Sequence, residues 1–292
     1  MAIQLLGFPT TLGLPHHARQ HAPAALRNAG FVESLRLHGG QVEDLGDMPL
    51  PTPDKAWPVA EQVRQTVLAA QQQARVWQQN HKPGDLMVTM GGDHSTSLGT
   101  MAGLTALGYD YDVVWIDAHG DFNIIETSPS GNTHGMVLAL ACGLMPDFMP
   151  AVISPSALHL WGIRDLDPGE RQLLQREAVE VLSPEQVRSQ WDRIVMRLKP
   201  NIFLSFDMDS VEPADAPGTR TPVPGGFHRR EALDLVGHIA RHRQILALDL
   251  VELHPDRDQQ NLTVELARAV AVTALTGRAE RSGAGGLSAA AD

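Results

Sequence analysis

With 43% hydrophobic and 20% charged residues, the 292-residue chain has the balance of an ordinary globular protein that can bury one large core or two modest ones. A formal charge of −11 argues against a nucleic-acid partner and suits a small cationic one. No apolar run reaches the ~18–20 residues that span a bilayer, and the start Met1-Ala-Ile-Gln lacks a signal peptide's basic region, so a cytoplasmic protein with no membrane role is expected.

Taken in chain order, Ile3–Phe8 reads as a first strand and Val59–Asn80 as a Gln- and Ala-rich helix. Leu86–Met90 is a strand that runs into Gly91-Gly92-Asp93-His94-Ser95, ahead of a helix over Ser97–Leu107. Val113–Ile116 is a strand that ends in Asp117-Ala118-His119-Gly120-Asp121. Its three metal-capable side chains alternate, and in extended backbone they share one face. Cys142, the one cysteine, excludes an internal disulfide and reads as a small buried hydrophobe within Met136–Leu144. Leu158–Ile163 leads into Arg164-Asp165-Leu166-Asp167-Pro168-Gly169-Glu170 and a helix over Pro168–Arg176. Ser183 and Pro184 supply the cap and first position of a helix over Pro184–Leu198. Ile202–Phe206 ends in Asp207-Met208-Asp209, Arg229–Arg243 is a helix, and Ile245–Leu250 closes on Val251-Glu252. Residues 1–280 read as a single domain, and the low-complexity tail from Arg281 to Asp292 as disordered.

Strands alternating with helices predict an α/β fold, a three-layer α-β-α arrangement around a mostly parallel central sheet. Five of the strands deliver polar, mostly acidic groups at their carboxyl ends, where open sheets of this kind place their ligands. One site is being assembled there. Its candidate ligands are His94, Asp117, His119, Asp121, Asp207 and Asp209. Four carboxylates and two imidazoles exceed the needs of one four-coordinate zinc and suit two divalent cations about 3.5–4 Å apart. A carboxylate-rich set favours manganese, with nickel, cobalt or iron as alternatives. A water shared by two cations loses a proton near neutral pH, so metal-assisted hydrolysis is the expected chemistry.

The ordered set Gly-Gly-Asp-His-Ser, Asp-Ala-His-x-Asp, Ser-Phe-Asp-x-Asp and a late Glu, running from about Gly91 to Glu252, resembles the ureohydrolase family and within it the arginases. The resemblance implies that one metal takes His94, Asp117, Asp121 and Asp207, and the other His119, Asp117, Asp207 and Asp209, with a hydroxide bridging both. The segment from Asp121 to Gly135 is similar to the arginase loop without insertion or deletion. By that likeness Asn123, Ser130 and Asn132 hold a substrate α-carboxylate, and Asp167 meets the α-ammonium. Glu252 matches the carboxylate that holds the guanidinium, Asp121 the group that handles the proton, His134 a proton shuttle at the mouth, and Thr221 a support behind the metal ligands.

The expectation is therefore hydrolysis of L-arginine to L-ornithine and urea by a homo-oligomer, a trimer or hexamer in this family. Behind it stand hydrolysis of another guanidino acid (a guanidinobutyrate or a modified arginine) and a non-catalytic paralogue. Three places depart from the family pattern. Between Gly13 and Arg27 only Ala22-Pro23-Ala24-Ala25-Leu26-Arg27 is familiar, Ser210-Val211-Glu212-Pro213 replaces Gly-Leu-Asp-Pro, and Arg220 stands where glycine is common, which bears on substrate fit. The pairs His16-His17 and His238 with His242 read as surface histidines.

Overall fold

The computed structural model describes residues 2–14, 21–39 and 41–288, with side chains through Arg281. Its strands are β1 (Ala2–Phe8), β2 (Gln41–Asp47), β3 (Leu86–Gly91), β4 (Asp112–Ile116), β5 (Leu158–Trp161), β6 (Glu180–Leu182), β7 (Asn201–Asp207) and β8 (Gln244–Val251). They form one eight-stranded sheet in the order β2-β1-β3-β8-β7-β4-β5-β6, and every pairing is parallel. The helices are α1 (Ala22–Asn28), α2 (Phe31–Gly39), α3 (Val59–Asn80), α4 (Thr96–Ala106), α5 (Val137–Ala141), α6 (Pro168–Arg176), α7 (Pro184–Arg197), α8 (Arg229–His242) and α9 (Leu262–Ser288).

Side chains alternate between the faces of a strand, so an inner strand covered on both sides must be apolar throughout. Ile3, Leu5, Val88, Val114, Phe206 and Leu248 pack on one face against α1, α2, α7, α8 and α9. Leu6, Met87, Trp115, Leu160, Phe203 and Ala247 pack on the other against α3, α4, α5 and α6. The three-layer architecture is the one expected, with a sheet that is wholly rather than mostly parallel. The cap at Ser183 forms as anticipated: its Oγ accepts from Gln186 N at 3.3 Å while its own N–H donates to Gln186 Oε1 at 2.8 Å.

The two edge strands, β2 and β6, carried no apolar signal. The sequence of β2 is Gln-Val-Glu-Asp-Leu-Gly-Asp, half solvated, and β6 has three residues. α9 also lies beyond the elements read from sequence and runs to Ser288, into the low-complexity stretch, with residues 289–292 outside the described ones. His16 and His17 lie outside the described residues as well. Cys142 is buried, and burial pushes its thiol up to about 12, in keeping with a packing role.

The short strand β6 is tied down by charge. His159 on β5 lies 2.8 Å from Glu180 on β6 and 3.3 Å from Asp112 on β4. Burial opposes protonation of His159, but the two carboxylates raise its imidazole to about 9. A raised histidine stabilises the fold fully below its unfolded value of about 6.5 and loses that contribution as pH rises through about 9. The melting temperature is accordingly expected to fall between pH 6.5 and 9.5 more steeply in the native chain than in His159→Gln. Parallel curves would exclude this linkage.

Candidate metal centre and substrate cavity

The five strands whose ends carry polar groups, β3, β8, β7, β4 and β5, are contiguous in the sheet, so their carboxyl ends open on one place. β3 ends at Gly91 and is followed by Gly92, on which a Cβ would lie 2.1 Å from Thr10 O. Only glycine lets the chain after β1 cross there, and His94 follows two residues ahead of α4. β5 stops at Trp161 because Gly162 turns with φ +98°. The next residues then donate to Ala118 O from Arg164 N (2.9 Å) and Asp165 N (3.0 Å), which brings Asp165 beside His119.

At the centre, His94 Nδ1 lies 3.0 Å from Asp117 Oδ2, 3.1 Å from Asp121 Oδ2 and 3.2 Å from Asp207 Oδ2. None of these approaches has hydrogen-bond geometry, and this buried nitrogen has no hydrogen-bond partner. His119 Nδ1 lies 3.2 Å from Asp209 Oδ2 and 3.5 Å from Asp117 Oδ1. Two clusters of metal-capable atoms result, His94 with Asp117 and Asp121, and His119 with Asp117 and Asp209, and they share Asp117. Supporting contacts fix these side chains. Trp115 Nε1 donates to Asp117 Oδ2 at 2.9 Å, and its ring stacks on His94 at 3.8 Å. Thr221 Oγ1 donates to Asp209 Oδ2 at 3.0 Å.

Electrostatics make the same point. Asp117, Asp121, Asp207 and Asp209 are buried, and among the described residues no Lys or Arg pairs with any of them. Burial alone would lower both imidazoles, yet the surrounding aspartates hold His94 and His119 well above the ordinary histidine range. Burial and mutual repulsion raise Asp121, Asp207 and Asp209, while the two imidazoles hold Asp117 down. Four buried carboxylates against two imidazoles leave an excess of negative charge, which is costly in a protein interior unless cations neutralise it. An orphaned imidazole nitrogen facing three carboxylate oxygens, in a set that is mostly oxygen donors, fits divalent metal ions.

A cavity of about 310 Å³ opens over this cluster. It is lined by Asp117, His119, Asp121, Asp207 and Asp209, and also by Asn123, Ser130, Asn132, His134, Asp167, Thr221 and Glu252. Asn123 Nδ2 donates to Asp167 Oδ2 at 3.0 Å, so the segment after β4 and the start of α6 form one wall. Glu252 accepts from His94 N at 3.0 Å and meets His134 Nδ1 at 3.0 Å and His254 Nε2 at 3.2 Å. Those imidazoles hold its carboxyl below the usual range even though burial acts in the opposite direction. Asp121 and Glu252 have φ of +49° and +57°, a strained region for such residues, and both point functional groups into the cavity.

The structure thus brings together the site residues read from sequence, with His94 beneath the cavity floor. It adds Ser128, Asp165 and Glu170 to the lining, and His254 and Trp115 behind it. Burial raises Glu170 to about 8 even though its carboxylate accepts from Phe122 N. The signal for Trp115 was available in the alternation that puts it on the face of Asp117. For His254 there was none. Arg220 adjoins Thr221 but does not line the cavity.

Residues 1–277 match the profile of the Arginase family. The chain belongs to that family. It is 34% identical to the arginase of Bacillus caldovelox over 294 residues, covering 92% of this chain and 96% of the relative. The solved structure of an arginase from Bacillus caldovelox superposes with a TM-score of 0.84 at 32% identity, over 94% of this chain and 97% of that one. The Entamoeba histolytica arginase, solved in complex with L-ornithine, gives a TM-score of 0.84 at 26% identity over 94% and 98%. The family assigns the chain to the amidinohydrolases, enzymes that act on carbon–nitrogen bonds, and its members depend on two metal ions. No helix among the described residues is long and apolar enough to cross a membrane.

Proposed function

We propose that residues 1–280 form one catalytic domain that hydrolyses L-arginine to L-ornithine and urea with two manganese ions. The observation that carries this reading is the lining of a single cavity, where the carboxylate–imidazole cluster and the group Asn123, Ser130, Asn132 and Asp167 face the same space. The first can hold metal, and the second offers the amides, hydroxyl and carboxylate that an amino-acid end requires. The Entamoeba histolytica arginase with L-ornithine, an amino acid in a fold of this kind, lends support.

His94, Asp117, Asp121 and Asp207 would hold one ion, and His119, Asp117, Asp207 and Asp209 the other. Two divalent ions bound there would supply a water that loses its proton near neutral pH and so becomes able to attack carbon. Glu252 holds the cationic guanidinium, for which a buried carboxylate is the strong partner. Asn123, Ser130 and Asn132 hold the α-carboxylate, and Asp167 receives the α-ammonium. Asp121 takes the proton released on attack and delivers it to the departing amine, while His134 exchanges protons with solvent. Thr221 keeps Asp209 in place.

Urea release from L-arginine, agmatine, 4-guanidinobutyrate and D-arginine tests the reading. L-Arginine is expected to lead the others by a factor of about 10² or more, since an analogue lacking the α-carboxylate or inverting the α-carbon leaves polar partners unmatched. Activity should return to the metal-stripped chain with manganese ahead of nickel, cobalt or iron. Faster turnover of 4-guanidinobutyrate would assign the site to another guanidino acid, and no urea from any compound would leave a non-catalytic paralogue.

A further inference from the structure

Behind His94, on the side away from the cavity, lies a buried acid that the chemistry above leaves unused. Asp249, on β8, is wholly buried, and among the described residues it forms no ion pair. Its partners are hydroxyls. Ser97 Oγ donates to Oδ2 at 3.0 Å and Thr100 Oγ1 to Oδ1 at 3.1 Å. From Ser97 the chain continues to Ser205 Oγ at 3.0 Å, and from Ser205 to His94 Nε2 at 2.8 Å. His94, Ser97, Ser205 and Asp249 are all fully buried, so water does not compete for these bonds.

The direction of that chain is determined by counting protons. An ionised carboxylate only accepts, so Ser97 spends its one hydroxyl proton on Asp249. Ser97 must then accept from Ser205, which leaves Ser205 able only to accept from the His94 ring. The proton of a neutral His94 therefore sits on Nε2, and Nδ1, which faces Asp117, Asp121 and Asp207, keeps its lone pair. An uncharged group at position 249 that donated to Ser97 would reverse every link and place the proton on Nδ1, where it would block a metal.

We propose that Asp249, acting through Ser97 and Ser205, is a positioning residue that locks the His94 tautomer and so sets how tightly the cation beside His94 is held. The proposal rests on the two-metal reading of the cluster. Burial pushes the Asp249 carboxyl up to about 6, so it still carries its charge at neutral pH.

The test is chelator competition on the manganese-loaded chain, counting manganese per chain in the wild type, Asp249→Asn, Ser97→Ala and the double variant. Loss of an outer partner of a metal-bound histidine costs about 10–100-fold in affinity. Each single variant is expected to surrender one of two ions at chelator concentrations lower by that factor, and to keep the other as the wild type does. The double variant should be no worse than the singles, because both act along one path. Thr100→Val, which removes a bond to Asp249 that lies outside this path, should keep both ions. With cobalt(II) in place of manganese, the visible spectrum of one ion alone should change in the single variants.

Ser97→Ala holding both ions like the wild type would overturn the proposal, as would equal weakening of both ions or additive losses in the double variant. Should Asp249→Asn not fold, Ser97→Ala carries the same test. A wild-type chain that takes up no divalent ion would overturn the two-metal reading and this inference together. A wild type with two ions and urea release, beside unaltered variants, would overturn only the inference.

Discussion

Asp121→Asn is expected to lower kcat/KM for urea release from L-arginine by roughly 10³–10⁴-fold, mostly in kcat. The substitution removes a charge and a proton acceptor while keeping the shape. Asp121 sits at φ +49°, where asparagine is the best tolerated replacement, so the backbone has no reason to move. Its carbonyl accepts from Leu138 N at 2.9 Å, a bond that anchors the next helix and that the variant retains. What is lost is one of three carboxylate oxygens within 3.2 Å of His94 Nδ1, together with the group assigned to carry the proton to the departing amine. General acid–base catalysis alone contributes about 10²–10⁴-fold, and weaker metal binding adds to the loss. Activity within tenfold of the wild type, in a variant loaded with metal, would remove Asp121 from the proton path.

The inner fold was legible because its physics is strongly patterned. Strands β1, β3, β4, β7 and β8 are buried on both faces, and that requirement writes an apolar run that turn residues bound. β5 was read two residues too long because Ile163 is apolar but lies past the turn at Gly162. β2 and β6 escaped since an edge strand needs neither an apolar face nor length. In α9 the buried stripe Val264, Ala267, Val270, Ala271, Ala274 is largely alanine and valine, interrupted by Arg268, so its amphipathic signal is faint.

The site was legible for a different reason. Polar groups that follow apolar strands have no packing role there, so their position at the carboxyl edge marks them as chemical. That argument finds residues adjacent to strand ends and no others. It reaches Asp117, Asp121, Asp207 and Glu252, and misses Ser97, Ser205, Asp249 and His254, which are buried polar groups set within strands, helices or loops. Their meaning depends on which strands are neighbours. Ser205 faces Ser97 and Asp249 only because β7 lies beside β8 with α4 packed across them. Sequence spacing holds no trace of that adjacency.

Glu252→Gln is the second large effect expected, and it should register in two independent measurements. Breaking a buried charge pair costs about 2–5 kcal/mol. A guanidinium deprived of its carboxylate should therefore raise KM and lower kcat/KM for L-arginine by roughly 30- to 5,000-fold. The second measurement concerns His134. Burial pulls its imidazole down, but the 3.0 Å contact with Glu252, assisted by Asp121 and Asp93, raises it to about 9. In the native chain His134 is thus protonated below about pH 9 and free to accept a proton only above it, so activity that depends on neutral His134 rises through that value. Glutamine at position 252 carries no charge to oppose the effect of burial. The variant's residual activity should consequently reach its plateau at lower pH than the native enzyme, even though it is slower at every pH. Rate profiles between about pH 6 and 11, taken at saturating manganese to keep metal loading constant, separate the two effects. A weakened variant whose acid limb stays in place would confine Glu252 to substrate binding and end its role in setting the His134 proton affinity.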